Sequence, residues 1–212
     1  MALEIEVKYL DADHAALRQA LKGLGAAYVG RWFESNTVFD DARRSLKALG
    51  TLLRLREKSG RSILALKCAA CGDVPAGLKT CQESQTEVAD GSALCEILAG
   101  LGLTPALRYE KIREKWSLLG CEVCLDTLPF GAFVEIEGSE QDIAACVAAL
   151  GLPRDKASTA TYHELNRLNR QARGLPPDET FIFDDAAKAG LLARRATDLC
   201  GVPPLDSGPW SA

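Results

Sequence analysis

Short segments of the chain alternate charged with apolar residues, and the charged members carry both signs. Glu4, Glu6 and Lys8 alternate with apolar residues near the start of the sequence, and Arg54 and Arg56 alternate with leucines further on. Residues two apart share one face of an extended strand, so each segment has one charged and one apolar face. Arginine and lysine suit phosphate recognition, whereas carboxylates suit Mg²⁺ or Mn²⁺.

The same pattern recurs along the chain, and nearly every predicted strand offers one charged face. The basic members include Arg54, Arg56, Lys67, Lys111 and Arg113, and the acidic members include Glu4, Glu6, Glu87, Asp126, Glu135 and Glu137. Any one strand is explained by a solvated face, which is common in antiparallel sheets. The intervening residues are strongly apolar, however, so the joint pattern favours charged faces that turn into a shared lumen. Because unpaired buried charge is unfavourable, we expect a ligand that satisfies both signs, such as a metal-bound polyphosphate.

Eight strands with helices between them are predicted to position these side chains. Strands are expected at residues 2–9, 26–40, 51–57, 61–68, 81–89, 107–117, 121–127 and 132–138, and helices at 11–24, 41–49, 90–100, 139–150, 157–172 and 185–199. The predicted fold class is α+β, an eight-stranded antiparallel β-barrel (a tunnel) with helices packed outside. We expect residues 1–172 to form this domain and residues 173–212 to form a helical, Pro/Gly-rich appendage.

Composition and charge exclude several classes of protein. Of the 212 residues, 47% are hydrophobic and 25% are charged, which excludes wholesale disorder. The net charge of −4 argues against a globally basic nucleic-acid binder. No apolar run approaches the roughly 20 residues of a membrane helix, and charges stand where a signal peptide has its apolar stretch. We therefore expect a cytoplasmic protein without nucleic-acid or membrane partners, and a homodimer is a general expectation for such proteins.

Two pairs of cysteines have the spacing of metal ligands. Cys68 and Cys71 form one CxxC pair and Cys121 and Cys124 another, which leaves a Cys₄ zinc site open as an alternative. Residues three apart in an alternating strand face opposite sides, so Cys121 and Cys124 would not both reach one metal. Small buried hydrophobic residues are the favoured interpretation.

The sequence does not support covalent catalysis or P-loop chemistry. It contains no Ser/His/Asp pattern and no Gly-rich phosphate loop. His14 in the first predicted helix and His163 in the last part of the predicted domain are expected on helix surfaces.

These segments resemble the CYTH superfamily, the triphosphate tunnel metalloenzymes. The family's ExExK hallmark reads Glu4-Ile5-Glu6-Val7-Lys8, and it is followed in order by the segments 53–56, 67, 111–113, 125–126, 131–137 and 162–165. The match covers roughly residues 1–168. The resemblance implies an eight-stranded antiparallel tunnel in which basic side chains bind a triphosphate and acidic side chains hold one or two divalent metals. It makes Arg54, Arg56, Lys67, Lys111 and Arg113 the candidate substrate-binding residues, and Glu4, Glu6, Glu87, Asp126, Glu135 and Glu137 the candidate metal ligands.

The fifth predicted strand departs from the family pattern. Cys81 stands where family members often carry an arginine, and Gln85 replaces one of the alternating acids, although Glu83 and Glu87 remain. Lys79 is a neighbouring cation that could take the place of the arginine. The departure bears on the preferred phosphate chain and on the rate.

The resemblance implies hydrolysis of a triphosphate with Mg²⁺ or Mn²⁺, the substrate being tripolyphosphate, thiamine triphosphate or ATP. Glu4, Glu6 and Lys8 are the candidate catalytic residues, with Lys8 as a charge partner or in proton transfer. The alternative is a class IV adenylate cyclase that converts ATP to cyclic AMP and pyrophosphate. The cyclase branch of the family tends to have a His-Phe pair around the second strand. Residues 28–33 contain no histidine, which favours hydrolysis. A non-catalytic polyphosphate-binding module is the lesser alternative, and retention of the acidic residues argues against it.

Overall fold

The computed structural model describes residues 2–70 and 75–197, with side chains as far as residue 191. Residues up to Ile182 form one compact unit, and those from Phe183 onwards belong to a second. The strands are β1 (Ala2–Tyr9), β2 (Ala27–Asp40), β3 (Leu52–Lys58), β4 (Arg61–Ala69), β5 (Lys79–Val88), β6 (Thr104–Leu118), β7 (Cys121–Leu128), β8 (Gly131–Glu137) and β9 (Ala157–Ser158). The helices are α1 (His14–Gly23), α2 (Ser45–Ala48), α3 (Gly91–Gly100), α4 (Glu140–Leu150), α5 (Tyr162–Ala172) and α6 (Asp185–Thr197), with a 3₁₀ turn at Arg154–Lys156.

Eight strands close into an antiparallel barrel, as predicted. Their order around the barrel is β5-β4-β3-β2-β6-β7-β8-β1, and pairing of β1 with β5 completes the ring. The two-residue β9 adds to β1 outside this ring. Closure satisfies the backbone groups at both edges of the sheet, and the strand alternation then separates an inner face from an outer face.

Apolar residues of the strands form the outer core beneath the helices. Val7, Val123 and Ile136 lie in one buried cluster with Leu21 of α1 and Ile143 of α4. Burying each such side chain contributes roughly 1.5–3 kcal/mol. This arrangement leaves the charged residues of the same strands facing inward.

Side-chain caps fix where these two helices begin. The Asp13 carboxylate accepts hydrogen bonds from the backbone N–H groups of Ala15 and Ala16 at the start of α1. Ser139 caps α4 in the same way, and Gly151 ends it in the left-handed conformation. Among the described residues, no helix has both the length and the apolar character needed to cross a bilayer.

Aromatic side chains fill one end of the barrel. We call this cluster the aromatic end, and it contains Tyr109 of β6, Phe133 of β8, Tyr162 of α5 and Phe181. The backbone N–H of Phe181 donates to the Arg108 carbonyl at 3.1 Å, and the Phe181 carbonyl accepts from the Glu110 N–H at 2.9 Å. The chain between α5 and Ile182 therefore belongs to the same compact unit as the barrel.

Two cysteines of β7 lie on opposite faces of the strand, as the alternation predicts. Cys121 lies in the outer core with Cys146. Cys124 is buried on the other face, near Arg113. Cys71 lies outside the described residues. The structure therefore gives the Cys₄ alternative no support from β7.

Candidate active site

The barrel contains a cavity of about 530 Å³ whose wall is densely charged. Nine basic and seven acidic side chains line it: Lys8, Arg54, Arg56, Lys58, Lys67, Lys79, Lys111, Arg113 and Lys115, and Glu4, Glu6, Glu34, Glu83, Glu122, Glu135 and Glu137. This set includes every predicted site residue except Glu87 and Asp126. Each of the eight barrel strands therefore contributes at least one charged side chain to the wall, which carries both signs of charge. On β7 this side chain is Glu122, whereas Asp126 is not part of the wall.

Lys8 lies between two carboxylates. Its ammonium group is 2.6 Å from Glu6 Oε1 and 3.0 Å from Glu135 Oε2, and all three side chains are buried. Burial alone would lower the pKa of Lys8, but the charges of Glu135 and Glu6 raise it above its usual value. Lys79 also contacts Glu6, at 2.7 Å. Lys8 therefore stays protonated, which favours the charge-partner role over proton transfer.

Glu4 is the centre of a second group of charges. Its carboxylate is paired with Lys67, which also lies 3.3 Å from Glu83 Oε2. Burial alone would raise the pKa of Glu4, but a hydrogen bond with Glu83 and the charge of Lys67 lower it to about 2. Burial and the neighbouring Glu4 raise the pKa of Glu83, so the two carboxyl groups of this pair are shifted in opposite directions.

Cys81 lies beside this group, at the position where the family pattern has an arginine. It faces Glu4 across the pairing of β1 with β5. Its thiol donates a hydrogen bond to Glu4 Oε2 at 3.1 Å. Burial is the main cause that raises the pKa of the thiol to about 12, so it is a neutral donor. Gln85, the other departure, lines the cavity.

Glu34 of β2 is a fully buried carboxylate among cations, and sequence reasoning misses it. Trp32 Nε1 donates to Glu34 Oε1 at 2.7 Å, and Lys58 lies over the Trp32 ring. Arg56 Nε and Lys111 Nζ lie 3.6 and 3.7 Å from Glu34 Oε2. Burial would raise the pKa of Glu34, but the charges of Lys111 and Arg56 hold it well below its usual value. The group therefore carries a permanent negative charge.

Asp126 does not line the cavity, in contrast to its predicted role as a metal ligand. The carboxylate is fully buried and accepts two hydrogen bonds from Arg113, at 2.7 and 2.5 Å. It also accepts from Lys111 at 3.2 Å and from the Tyr162 hydroxyl at 2.8 Å. Asp126 is saturated by these donors, so the structure gives it the role of orienting two basic residues of the cavity wall.

Glu87 is not brought to the cavity either. It lies at the far end of β5 and forms an exposed ion pair with Arg61. Glu83 is the acid of the same strand that reaches the other charged residues. The structure therefore does not support the prediction of Glu87 as a metal ligand.

The two histidines lie in less exposed positions than predicted. His163 lines the cavity, and its ring packs edge-on against Tyr109 with 5.1 Å between centroids. Its Nδ1 is 3.4 Å from the Glu179 carbonyl. His14 at the start of α1 is half-buried, with Nε2 2.9 Å from the Phe133 carbonyl. Burial lowers the pKa of both groups, so both are neutral.

Comparison with known proteins places this chain in a family. Residues 2–152 match the CYTH domain. The chain belongs to the CYTH family. The match contains β1 to β8 and thus every strand of the barrel.

Individual CYTH relatives are distant. A protein of Methanocaldococcus jannaschii named “putative adenylate cyclase” is 24% identical over 177 residues, which are 78% of this chain and 99% of the relative. The structure of a “putative adenylate cyclase” from Vibrio parahaemolyticus has a TM-score of 0.67 at 21% identity, covering 77% of this chain and 97% of the other. A Hippeastrum protein described as a “putative adenylyl cyclase” with a dominant triphosphatase activity has a TM-score of 0.56 at 17% identity, covering 84% and 99%. The two structures support the fold.

The acidic residues of this CYTH barrel provide carboxylate oxygens, which are the ligands that a hard divalent cation prefers. Burial raises the pKa of Glu137 to about 7, and the nearby carboxylates of Glu4 and Glu135 add to the shift, so a bound cation would favour the ionised form of this group. Oxygen ligands of this kind suit Mg²⁺ or Mn²⁺. In the part of the chain that the structure describes, no three His, Cys, Asp or Glu side chains are arranged to hold one ion. Glu4 and Glu6 are instead paired with lysines.

Proposed function

We propose that this CYTH protein hydrolyses a triphosphate in the barrel cavity with the help of a divalent metal. The observation that supports this is the joint presence of basic and acidic side chains on one enclosed wall, with basic groups in excess. A polyanion without a metal would be repelled by the carboxylates, and a metal without a polyanion would leave the basic side chains without a ligand of opposite charge. A metal-bound triphosphate satisfies both.

The basic residues form the clamp for the phosphate chain. Arg54 and Arg56 both line the cavity, and their guanidinium groups lie next to each other on β3. Guanidinium groups form strong, charge-assisted hydrogen bonds with phosphate oxygens. Arg113 and Lys111 are oriented by Asp126. Phosphoryl transfer depends mainly on positioning and on charge stabilisation, which such a clamp provides.

Four carboxylates would hold the metal, namely Glu4, Glu6, Glu135 and Glu137. A bound divalent metal supplies neutralisation of phosphate charge and activation of water. Lys8 keeps Glu6 and Glu135 at a fixed separation through its two ion pairs. The two ion pairs support a positioning role for Lys8, and its raised pKa, which keeps the proton on the ammonium group, argues against proton transfer.

The second candidate function is the cyclisation of ATP to cyclic AMP and pyrophosphate. It is supported by the names of the Methanocaldococcus jannaschii and Vibrio parahaemolyticus relatives, both of which are called adenylate cyclases. The Hippeastrum protein combines a cyclase name with a dominant triphosphatase activity, which supports hydrolysis as the first candidate. The same clamp would serve either reaction, because both act on a triphosphate chain.

The test is to incubate the purified protein with Mg²⁺ or Mn²⁺ and either tripolyphosphate, thiamine triphosphate or ATP. Release of orthophosphate supports hydrolysis, whereas formation of cyclic AMP with pyrophosphate supports the cyclase. Tight binding with neither product contradicts both and leaves a polyphosphate-binding module. Glu6→Gln should abolish turnover while the circular dichroism spectrum is kept; Glu57→Gln, at an exposed residue of β3 outside the cavity, is the matched control.

A further inference from the structure

Tyr109 is a cavity residue to which the family pattern gives no role. It lies in β6, two residues before Lys111, and it lines the cavity. Its ring is fixed in the aromatic end by His163 at 5.1 Å and by Phe181 at 5.2 Å between centroids. The Tyr109 hydroxyl oxygen lies 3.0 Å from Arg54 Nη1. The hydroxyl is therefore held in place next to a residue of the proposed clamp.

The contact with Arg54 leaves the hydroxyl proton of Tyr109 without an acceptor. A tyrosine hydroxyl has one donor and acceptor lone pairs, whereas a guanidinium group can only donate. Arg54 must therefore be the donor and the Tyr109 oxygen the acceptor. Within the described residues, the Arg54 contact is the hydrogen bond recorded for this hydroxyl. Its own proton is left for a group that is not part of this wall.

Two basic side chains of the proposed clamp lie near the Tyr109 hydroxyl. Arg54 and Arg56 line the same cavity as Tyr109, and Arg54 Nη1 contacts the hydroxyl directly. Burial alone would raise the pKa of Tyr109, but the charges of Arg54, Lys111 and Arg56 lower it, which makes the hydroxyl a stronger donor. A neutral donor beside two guanidinium groups matches an oxyanion, which offers acceptors only.

We infer that Tyr109 donates a hydrogen bond to an oxygen of the bound phosphate chain and is a further substrate-binding residue. The inference rests on the proposed function for the identity of the ligand. Arg54 then has two roles, because it binds the phosphate chain and orients the neutral donor beside it. Tyr109 adds a contact to phosphate without adding charge to a wall that is already basic.

The first test is the variant Tyr109→Phe, which removes the hydroxyl and keeps the ring. Binding of tripolyphosphate is measured by isothermal titration calorimetry, with and without Mg²⁺, so that turnover is not needed as the readout. The variant should bind about 10- to 100-fold more weakly, as expected for loss of a hydrogen bond to a charged group. Tyr9→Phe is the matched control, because Tyr9 is a buried tyrosine of the outer core, and its binding should equal that of the wild type. Equal binding by Tyr109→Phe would overturn the inference.

A second measurement separates direct contact from an effect through Arg54. Tyr109→Phe is compared in the wild-type protein and in an Arg54→Met background, with Arg54→Gln as the substitute if Arg54→Met does not fold. If Tyr109 contacts the phosphate chain, Tyr109→Phe still weakens binding in that background. If the loss disappears there, Tyr109 acts only by holding Arg54 and the inference is wrong.

The two proposals fail in different ways. If the wild type binds tripolyphosphate but turns over no triphosphate, the proposed function is wrong, while weaker binding by Tyr109→Phe still supports the contact. If the wild type binds none of tripolyphosphate, thiamine triphosphate and ATP, both are wrong.

Discussion

Lys8 of β1 and Glu135 of β8 form a buried ion pair of 3.0 Å, and the same ammonium group lies 2.6 Å from Glu6. Removing one partner of a buried ion pair leaves uncompensated charge and costs about 3–5 kcal/mol. We therefore expect Lys8→Met to lower the free energy of unfolding by about that amount, since Glu6 and Glu135 would face each other without a cation. Urea denaturation monitored by circular dichroism measures this change. Lys22→Met, at an exposed residue of α1, should leave the unfolding midpoint unchanged; equal stability of the two variants would contradict the pairing.

Asp126 should act on the phosphate clamp and not on the metal. Because Asp126 orients Arg113 and Lys111, Asp126→Asn is expected to weaken tripolyphosphate binding by at least about tenfold. Its affinity for Mn²⁺ should remain that of the wild type, because the carboxylate lies outside the cavity wall. Calorimetric titrations with Mn²⁺ and with tripolyphosphate distinguish the two effects. Loss of Mn²⁺ binding with retained tripolyphosphate binding would restore Asp126 as a metal ligand.

Glu83 and Glu87 offer a matched pair on one face of β5. Glu87→Ala should change stability and activity little, since solvent screens exposed ion pairs such as that with Arg61. Glu83→Ala should lower stability by about 1–3 kcal/mol, because Arg54 and Lys67 lose an acceptor. It should also lower triphosphate turnover. Thermal unfolding measures the change in stability, and phosphate release measures the change in turnover. A larger loss of turnover in Glu87→Ala than in Glu83→Ala would show that Glu87, not Glu83, belongs to the site.

Metal binding should become tighter as the pH rises through 7. The pKa of Glu137 is about 7, so this side chain is neutral below that pH and a proton competes with the metal. Apparent Mn²⁺ affinity should fall about tenfold for each pH unit below 7 for one competing proton. The pKa of Glu137 is higher in the folded protein than its ordinary value of 4.5. The contribution of this group to the stability of the folded state therefore decreases as the pH rises from 4.5 to 7.

Mn²⁺ titrations at several pH values, for the wild type and Glu137→Gln, check this dependence. The variant should bind Mn²⁺ more weakly at pH 8 and lose most of the pH dependence. The same slope in both proteins would assign the competing proton to another group.

The faces of the strands could be predicted from the sequence, but not the depth of a residue within the barrel. Alternation places Glu83 and Glu87 on one face, and it does so correctly. Whether a side chain reaches the cavity depends on the stagger of neighbouring strands, which alternation does not encode. The register pairs Glu83 with Ala2 and Glu87 with Ile63, so the two acids lie at different heights. The position of Asp126 outside the cavity wall could not be predicted for a related reason, because Tyr162 of α5, far along the chain, contacts its carboxylate.

The contribution of β2 could not be predicted from its pattern. Its register shifts between Tyr28 and Gly30, which interrupts a simple alternation. Glu34 stands without a charged neighbour two residues away, so nothing in the sequence pairs it with Arg56 or Lys111. His163 is similar, because its position at the cavity follows from how α5 packs against Tyr109.

Closure of the ring through β1 has a consequence for how the protein is made. This strand pairs with β5 at one edge and with β8 at the other. During synthesis on the ribosome, both edges of β1 therefore remain unpaired until much of the polypeptide has emerged. Unpaired strand edges favour association between nascent chains. Charged side chains on such an edge oppose that association. We therefore expect the charges of Glu4, Glu6 and Lys8 to oppose aggregation of the growing polypeptide, before the barrel has formed a cavity that could bind a ligand.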